Sequence, residues 1–427
     1  MTMFSALRAG LLTLFAAAFL LTTAQAQTLA SSSGSGSSFS PNAAPGETGG
    51  DAGAGIFGTL PFKLSFSVRG GYDDNVSTSN QFKQGSPFTE TGLTAIYDFG
   101  DSRTHLNLQV GAAFTYYYDN IHSLGLTSNQ YDIDTSVRLN VTHKISPRMT
   151  LTSDVFIGYL SEPDFSIAQG VNYRSGNYFF TQDKFTLNYL WAPRFSTATS
   201  YTLGGIRYDE SSIGFYSNRV ENTFGNEFRF LLAPTTTVVG EYRFQLISYQ
   251  DIDRDSRTHY LLGGFDHTFD PRLTLSLRGG AEFRNYDPDD ITKTGPYFES
   301  TLNYAVAKQT TVSWTARYGL EESDLIDVQD RTTFRTGLTA KHDFTPKISG
   351  SVGAYYEHDD YHSVSHGGVI LSPSFTEQSA DVSLNVRYAF TRYFWVEAGY
   401  DHSDVWSDFA AREYTRNRFW GGLSVTF

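Results

Sequence analysis

The sequence has no cysteine, and this absence excludes several kinds of protein at once. A chain without cysteine has no disulfide framework, no thiolate metal site and no lipid-modified cysteine. An excess of positive charge is missing too, because the formal net charge is −13. We therefore expect no nucleic acid among the partners of this protein. No motif in the chain indicates a cofactor.

Long apolar runs are also missing beyond the N-terminus. Residues 9–21 form an apolar run that is shorter than the roughly 20 residues a membrane-spanning helix needs. Arg8 precedes this run and Ala24-Gln25-Ala26 follows it, so residues 1–26 are predicted to be a secretory signal peptide. No later stretch could cross a membrane as a helix. If the mature protein spans a membrane, it must therefore do so as a closed β-barrel.

The composition of the remaining chain favours sheet. Aromatic residues make up 15% of the sequence and charged residues only 18%, and there are 38 glycines. Aromatic residues are enriched in strands, whereas charged helix formers are depleted there. Residues 27–60 differ from the rest because they are serine, glycine, alanine and proline with almost no charge. This composition cannot bury a core and predicts a flexible leader.

The last residues of the chain alternate between two kinds of side chain. Phe419, Leu423 and Phe427 share one face of a predicted strand, and Arg416 and Arg418 lie on the opposite face. In a membrane barrel the apolar face contacts lipid and the polar face lines the lumen. A chain that ends on an aromatic residue of such a strand resembles bacterial outer-membrane barrel proteins. This resemblance implies that Phe427 is an assembly signal, read by the barrel-assembly machinery.

From residue 61 onward the sequence repeats a unit of about 40 residues, in which a tight turn joins two long segments. Five of the turns contain proline, which cannot continue a ladder of hydrogen bonds. A propeller would have four short strands per unit, whereas these segments have the length of tilted barrel strands. We predict strands at 62–72, 89–99, 103–118, 130–144, 148–160, 178–191, 194–209, 218–232, 235–250, 257–269, 272–286, 296–307, 310–322, 330–344, 347–360, 376–390, 393–405 and 413–427.

The predicted fold class is therefore all-β. Residues 61–427 are expected to form a transmembrane antiparallel up-and-down β-barrel of about eighteen strands, with sixteen as the alternative count. The segments after odd-numbered strands are long and acidic, as at Asp73-Asp74, Glu162, Asp164 and Glu321-Glu322. Since long loops of such barrels face outward, we expect most of the negative charge to lie outside the barrel.

Three features carry a resemblance to a known family. They are the opening segment Gly71-Tyr72-Asp73-Asp74-Asn75-Val76, the Pro-Arg turns and the terminal Phe427. Together they resemble the putative beta-barrel porins of type two over residues 61–427. The resemblance implies a location in the Gram-negative outer membrane, contact with its lipid and lipopolysaccharide, and passage of small polar solutes. Some members are associated with exopolysaccharide export, and the family offers no catalytic residues to transfer.

Many charged residues lie on the polar face of the predicted strands. One interpretation is a pore lining with a modest preference for anionic or sugar-like solutes, since the planar guanidinium grips carboxylates and phosphates. The other interpretation is a set of ion pairs that brace the wall, and the two can hold together. The candidate pore-lining residues are Arg69, Arg138, Arg229, Arg243, Arg278, Arg284, Arg317, Arg335, Arg387, Arg416, Arg418, Glu241, Glu282 and Asp381.

Motifs for metals and catalysis are weak. The run of Asp251, Asp253 and Asp255 lacks the glycine and the distal glutamate of a calcium loop. His358 and His362, with His366 further along, are more typical of a polar loop, and no Gly-x-Ser-x-Gly motif is present. We expect no metal site and no enzyme activity. The predicted function is a passive channel for small hydrophilic solutes. The alternatives are an export-linked barrel and a non-conducting structural or adhesion barrel.

Overall fold

The computed structural model describes residues 62–119, 130–166, 171–174, 176–287, 291–325, 328, 330–362, 364–366, 369–372 and 374–427. The predicted signal peptide (1–26) and leader (27–60) lie outside these residues. The elements are β1 (Lys63–Asp73), β2 (Ser86–Gly100), β3 (Thr104–Tyr117), β4 (Tyr131–Ser146), β5 (Met149–Leu160), β6 (Tyr178–Ala192), β7 (Phe195–Tyr208), α1 (Ser211–Ser217), β8 (Arg219–Ala233), β9 (Thr236–Tyr249), β10 (Ser256–Asp270), β11 (Leu273–Tyr286), β12 (Ile291–Ala307), β13 (Thr310–Glu322), β14 (Asp330–Thr345), β15 (Ile348–Tyr361), β16 (Val364–His366), β17 (Val369–Ser372), β18 (Phe375–Ala389), β19 (Phe394–Ser407) and β20 (Tyr414–Thr426).

Eighteen of these strands form one closed antiparallel sheet. Each strand pairs with its neighbours along the chain, β15 pairs with β18, and β20 returns to pair with β1. At this seam Leu64 and Phe427 exchange two backbone hydrogen bonds of 3.1 and 2.8 Å. The predicted antiparallel up-and-down barrel of eighteen strands is confirmed, and the lower count of sixteen is wrong. The hairpin β16–β17 and the helix α1 were not predicted.

The stagger of the strands sets the width and tilt of the barrel. Following the paired residues around all eighteen strands leads back to β1 about 22 residues further along. With this shear the strands tilt by about 40° from the barrel axis. Barrels of about sixteen to eighteen strands are wide enough to leave an aqueous channel, so wall side chains alone do not fill this lumen.

Prolines mark the short turns, as predicted, and among the described residues Pro87 and Pro296 lie inside strands. The register shifts just before the turns that contain Pro147, Pro193, Pro234, Pro271 and Pro346. Such a bulge increases the local twist where the chain reverses.

The largest boundary error concerns β12, which begins at Ile291 rather than at residue 296. Pro296 pairs with Ala281 of β11, while the pairing of β12 with β13 begins only at Phe298. The missing N–H of Pro296 therefore interrupts no ladder, because β12 has a neighbour on only one side there.

The two faces of the sheet differ as expected for a barrel in lipid. Leu93, Val386 and Leu423 on the outer face are 48, 51 and 49% exposed. Exposed aromatic residues gather at both ends of the outer wall, with Tyr118 at the end that carries the long loops and Phe344 at the end with short turns. An apolar band between aromatic girdles is typical of outer-membrane barrels. In the described part of the chain no helix is long and apolar enough to cross a membrane.

Candidate functional site

The candidate site is the lumen, whose wall carries ion pairs on several sides. Near the seam Arg69 lies 3.3 Å from Glu90 and 3.2 Å from Glu397. Arg387 contacts Glu397 at 3.2 Å, and Arg418 contacts Glu90 at 3.4 Å. We call these five residues the seam cluster. Because each carboxylate is shared between two arginines, the cluster ties β1, β2, β18, β19 and β20 together from inside.

A second network covers the wall from β8 to β11. Arg229 contacts Glu227 at 2.7 Å, and Arg243 forms an ion pair with Glu241. Arg278 lies 3.5 Å from Glu227 and 3.8 Å from Glu241, so it joins both pairs. The structure thus brings Arg229, Arg243, Arg278 and Glu241 together, although the sequence indicated only that they share a face.

Ion pairs on β11, β13, β14 and β15 are more deeply buried. Arg284 is 2% exposed and contacts Glu322 at 2.9 Å. Arg335 forms an ion pair with Glu357, which is 3% exposed. A buried ion pair leaves a costly unpaired charge when one partner is removed. Arg284 therefore braces the wall, in line with the second interpretation drawn from the sequence, whereas Arg335 pairs with Glu357 and also lines open space in the lumen.

Three further candidates make other contacts. Arg138 lies over the ring of Phe156, 5.2 Å from its centroid. Asp381 accepts a hydrogen bond of 2.7 Å from the hydroxyl of Ser403. Glu282 accepts a backbone hydrogen bond from β13 at 2.6 Å, and its Oε2 has no hydrogen-bond partner among the described residues. All three side chains lie on the inward face of their strands.

The described residues between β5 and β6, namely 161–166, 171–174, 176 and 177, fold into the lumen, and we call them the constricting loop. Glu162 in this loop lies 2.9 Å from Arg416 and 3.2 Å from Arg418. The Tyr117 hydroxyl donates to the same carboxylate at 3.0 Å. Burial alone would raise the pKa of Glu162, but the charges of Arg416 and Arg418 hold this pKa well below its usual range. The carboxylate is therefore a permanent anchor between loop and wall.

The other end of the constricting loop reaches different strands. Arg174 forms an ion pair with Asp132 of β4. The backbone carbonyl of Asn172 accepts a hydrogen bond of 2.7 Å from the Tyr414 hydroxyl of β20. The Asn172 amide donates to Glu377 of β18 at 3.3 Å. Because these anchors lie on well-separated strands, the loop crosses the lumen rather than following one wall.

An apolar cluster fixes the base of the loop. Val171 packs with Tyr178 and Phe180 of β6 and with Ile206 and Tyr208 of β7. The backbone N–H of Val171 also donates to the Tyr208 hydroxyl at 3.1 Å. This contact joins the loop to the wall beside its own strands, so the loop is held by apolar packing at its base and by ion pairs across the lumen.

The prediction that the acidic loop residues lie outside the barrel is wrong at several positions. Asp73 is fully buried, Asp359 is 1% exposed, and Glu162 lies in the constricting loop. Inward-facing arginines explain the difference: Arg416 binds both Asp73 and Glu162. Asp251 and Asp253 are exposed, as predicted.

Several lumen residues were missed, and some of them follow the strand pattern. Asp73 lies on the same inward face of β1 as Arg69, and Arg331 lies on the same inward face of β14 as Arg335. Extending the predicted strand 62–72 to its true end would have found Asp73, and Arg331 already lay within the predicted strand 330–344. Arg174 lies in the constricting loop, where no periodicity exists, so the sequence gives no signal for its inward position.

Open space remains on one side of the lumen. A cavity of about 340 Å³ lies against the wall made by β11 to β14, and Ser166 of the constricting loop closes one side of it. Arg317 and Arg335 line this cavity, although Nε of both side chains and Nη1 of Arg335 are buried and have no hydrogen-bond partner among the described residues. The lining consists of Ser166, Ser276, Glu299, Ser300, Thr301, Thr315, Ala316, Arg317 and Arg335.

Asp164 lies in the constricting loop just before this cavity. Its Oδ1 accepts hydrogen bonds from the backbone N–H of Ser166 at 2.9 Å and from the Ser166 hydroxyl at 2.6 Å. Burial raises the pKa of the Asp164 carboxyl to about 6, while the Ser166 hydrogen bonds and the charges of Arg138 and Arg335 act against that rise. This carboxyl therefore changes its charge near neutral pH.

The two weak metal motifs are not assembled into a site. Within the described ranges no group of three or more His, Asp or Glu side chains is arranged to hold a metal ion. His358 lies 3.3 Å from Asp360, and His362 lies 3.0 Å from Asp330. The side chain of His366 lies outside the described residues.

Comparisons with known proteins agree with the resemblance drawn from the sequence. Residues 216–427 match the family model described as "Putative beta-barrel porin 2", which confirms the resemblance over this range. No curated protein matches the chain.

Among solved structures, the chain is similar to a BenF-like porin from Pseudomonas fluorescens Pf-5, with 11% identity and a TM-score of 0.45. It is also similar to Pseudomonas aeruginosa OpdK with vanillate, with 12% identity and a TM-score of 0.44. A third is Acinetobacter baumannii OccAB4, with 11% identity and a TM-score of 0.41. Each match covers 86% of this chain and 99% of the other chain.

Proposed function

We propose that this chain, an eighteen-stranded barrel whose residues 216–427 match a porin family, is an outer-membrane channel for passive diffusion of small hydrophilic solutes. The observation that carries the proposal is a polar lumen that the constricting loop narrows without filling. The cavity of about 340 Å³ has the size of a small-molecule site, and its lining combines hydroxyls, one carboxylate and two guanidinium groups.

Selectivity would come from the arginines that line the cavity. The Arg317 and Arg335 side chains line the cavity, and Arg317 is 39% exposed, so a solute carboxylate or hydroxyl could accept from its guanidinium group. Among the remaining candidate pore-lining arginines, Arg138 lies over Phe156 and the others form ion pairs with carboxylates. We therefore assign a modest preference for anionic or sugar-like solutes to the β11–β14 side of the lumen, and no catalytic step.

The outer wall supports the location and the partners. Its exposed leucines and aromatic rings would contact lipid, and lipopolysaccharide would contact the end with the long loops. Residues 1–26 would direct export across the inner membrane and be cleaved. Phe427 would then be read by the barrel-assembly machinery.

A non-conducting structural barrel is the second candidate. The buried ion pairs of Glu162 and Arg174 hold the constricting loop across the lumen, which favours a closed state. No observation favours an export-linked barrel over these two.

Swelling of liposomes that contain the purified protein tests the proposal. A channel with a cavity of this size should admit amino acids, small organic anions and monosaccharides, and it should exclude long oligosaccharides. Folded protein that admits none of these solutes would support the structural barrel. Rapid entry of oligosaccharides would instead support an export-linked barrel.

A further inference from the structure

The outer wall of the barrel carries a carboxylate in the middle of a strand. Asp183 shares its parity with Phe185 and Leu187 of β6, which are 41 and 36% exposed, so its side chain faces the lipid. Its Oδ2 accepts from the Thr181 hydroxyl at 3.1 Å, and its Oδ1 is buried within the wall and has no hydrogen-bond partner among the described residues. In hydrocarbon an unsatisfied polar group costs several kcal/mol, and an ionisable residue there usually has a partner.

Matching donors lie two strands away. Asn222 and Asn226 of β8 share the parity of Phe224, which is 49% exposed. The side-chain oxygen of Asn222 accepts from the Tyr201 hydroxyl at 2.8 Å, and that of Asn226 accepts from the Thr199 hydroxyl at 2.9 Å. These bonds orient each amide so that its NH2 group donates to no described residue. The outer wall therefore carries a carboxylate on β6 and amide donors on β8.

The register makes this patch complementary to itself. In the sheet register Asp183 of β6 lies opposite Leu203 of β7, and Leu203 lies opposite Asn222 of β8. Leu203 therefore separates the Asp183 carboxylate from the Asn222 amide. Because the strands tilt by about 40°, the height of Asp183 falls between those of Asn222 and Asn226. A two-fold axis along the membrane normal beside Leu203 would bring β6 of one copy opposite β8 of the other. Each Asp183 would then face the asparagine amides of its partner.

We propose that two copies of this chain dock through this patch, which consists of Thr181, Asp183, Thr199, Tyr201, Asn222 and Asn226. Lipid tails are as apolar as leucine, so polar groups rather than apolar area decide association in a membrane. Acyl chains offer no hydrogen-bonding groups, and lipid headgroups lie near the strand ends, whereas Asp183 and Asn226 lie mid-strand. The patch lies outside the barrel, so the dimer is independent of whether the lumen conducts.

The absence of cysteine makes a direct cross-linking test possible. A Leu203→Cys variant places a single thiol beside the expected axis, and a short bifunctional thiol reagent is then added to intact outer membranes. The matched control is Leu384→Cys on β18, which lies nine strands away and faces outward with 44% exposure. We expect a covalent species of twice the chain mass from Leu203→Cys and none from Leu384→Cys.

Adding Asp183→Leu to the Leu203→Cys chain should lower the cross-linked fraction at least tenfold, and Asn226→Leu should act in the same direction. Heat-modifiable migration on gels confirms that each barrel is folded, since a lipid-facing leucine leaves the lumen unchanged. The proposal is overturned if folded Leu203→Cys protein stays uncross-linked or links to a different protein. It is equally overturned if the cross-linked fraction survives Asp183→Leu.

Discussion

Nη2 of Arg416, on the last strand, lies 2.9 Å from Oε1 of Glu162, in the constricting loop. The two residues are far apart in the chain, yet their contact joins the seam of the barrel to the segment that crosses its lumen. The same guanidinium also binds Asp73 of β1. Arg416 therefore contributes both to closure of the barrel and to docking of the loop, and the closed wall positions the constriction.

Replacing Glu162 should loosen the constricting loop without unfolding the barrel. In Glu162→Gln the positive charges of Arg416 and Arg418 lose their shared carboxylate. Breaking a buried pair costs about 3–5 kcal/mol, and here the cost falls on the docked loop. We expect a larger and noisier single-channel conductance in planar bilayers. Asp253→Asn, at an exposed carboxylate, is the control, and equal conductance in all three proteins would argue against a docked loop.

Selectivity should depend on pH through Asp164. Its pKa is raised from 3.8 to about 6, so the docked loop binds a proton more readily than an exposed loop does. Stability from this group is complete below about pH 4 and is lost as the pH rises through about 6. Raising the pH from about 5 to 7 also adds a negative charge to the lumen, so the reversal potential in a salt gradient should move in the cation-selective direction. Asp164→Asn should show a smaller shift over the same pH range, and a shift of the same size in that variant would refute the assignment.

Arginines that brace the wall should matter for stability more than for permeation. Arg284→Gln leaves Glu322 buried without its cation and should lower the free energy of unfolding by about 3–5 kcal/mol. Arg257 forms a similar pair with Asp287 at 3.0 Å, but both side chains are largely exposed. Arg257→Gln should therefore cost about 1 kcal/mol or less. Denaturant titration in detergent compares the two, and equal losses would show that burial of the pair is unimportant.

Removal of Phe427 should reduce assembly. The deletion removes both backbone hydrogen bonds to Leu64 at the seam, and it also removes the terminal aromatic residue. We expect severalfold less heat-modifiable protein in the outer membrane, with Phe427→Tyr close to the wild-type level. Normal assembly of the deleted chain would mean that neither the seam bonds nor the aromatic end is required.

Alternation and turn chemistry made the barrel predictable from sequence. In β20, Arg416 and Arg418 alternate with Phe419 and Leu423 because lipid and lumen impose opposite polarity on successive residues. Prolines then marked the short turns. Pro296 shows the limit of this reasoning, because its tolerance within β12 depends on which strand is its neighbour, and that is a property of the closed sheet.

The inward course of the constricting loop was not predictable in this way. Glu162 and Arg174 lie in a segment without periodicity, and their positions are fixed by Arg416 and Asp132, which are distant in sequence. The charge of a loop does not indicate whether it turns towards water or towards an oppositely charged wall. The division of the arginines into bracing and cavity-facing groups likewise depends on partners that only the fold brings together.

Single-channel recording in planar bilayers under a salt gradient tests the central claim most directly. It should compare the wild type with an Arg317→Gln, Arg335→Gln double variant. The account predicts discrete conductance steps from the wild type. In the double variant, the loss of two cations beside the cavity should move the reversal potential in the cation-selective direction. Folded wild-type protein without conductance, or a double variant with an unchanged reversal potential, would contradict a channel whose selectivity is set at this wall.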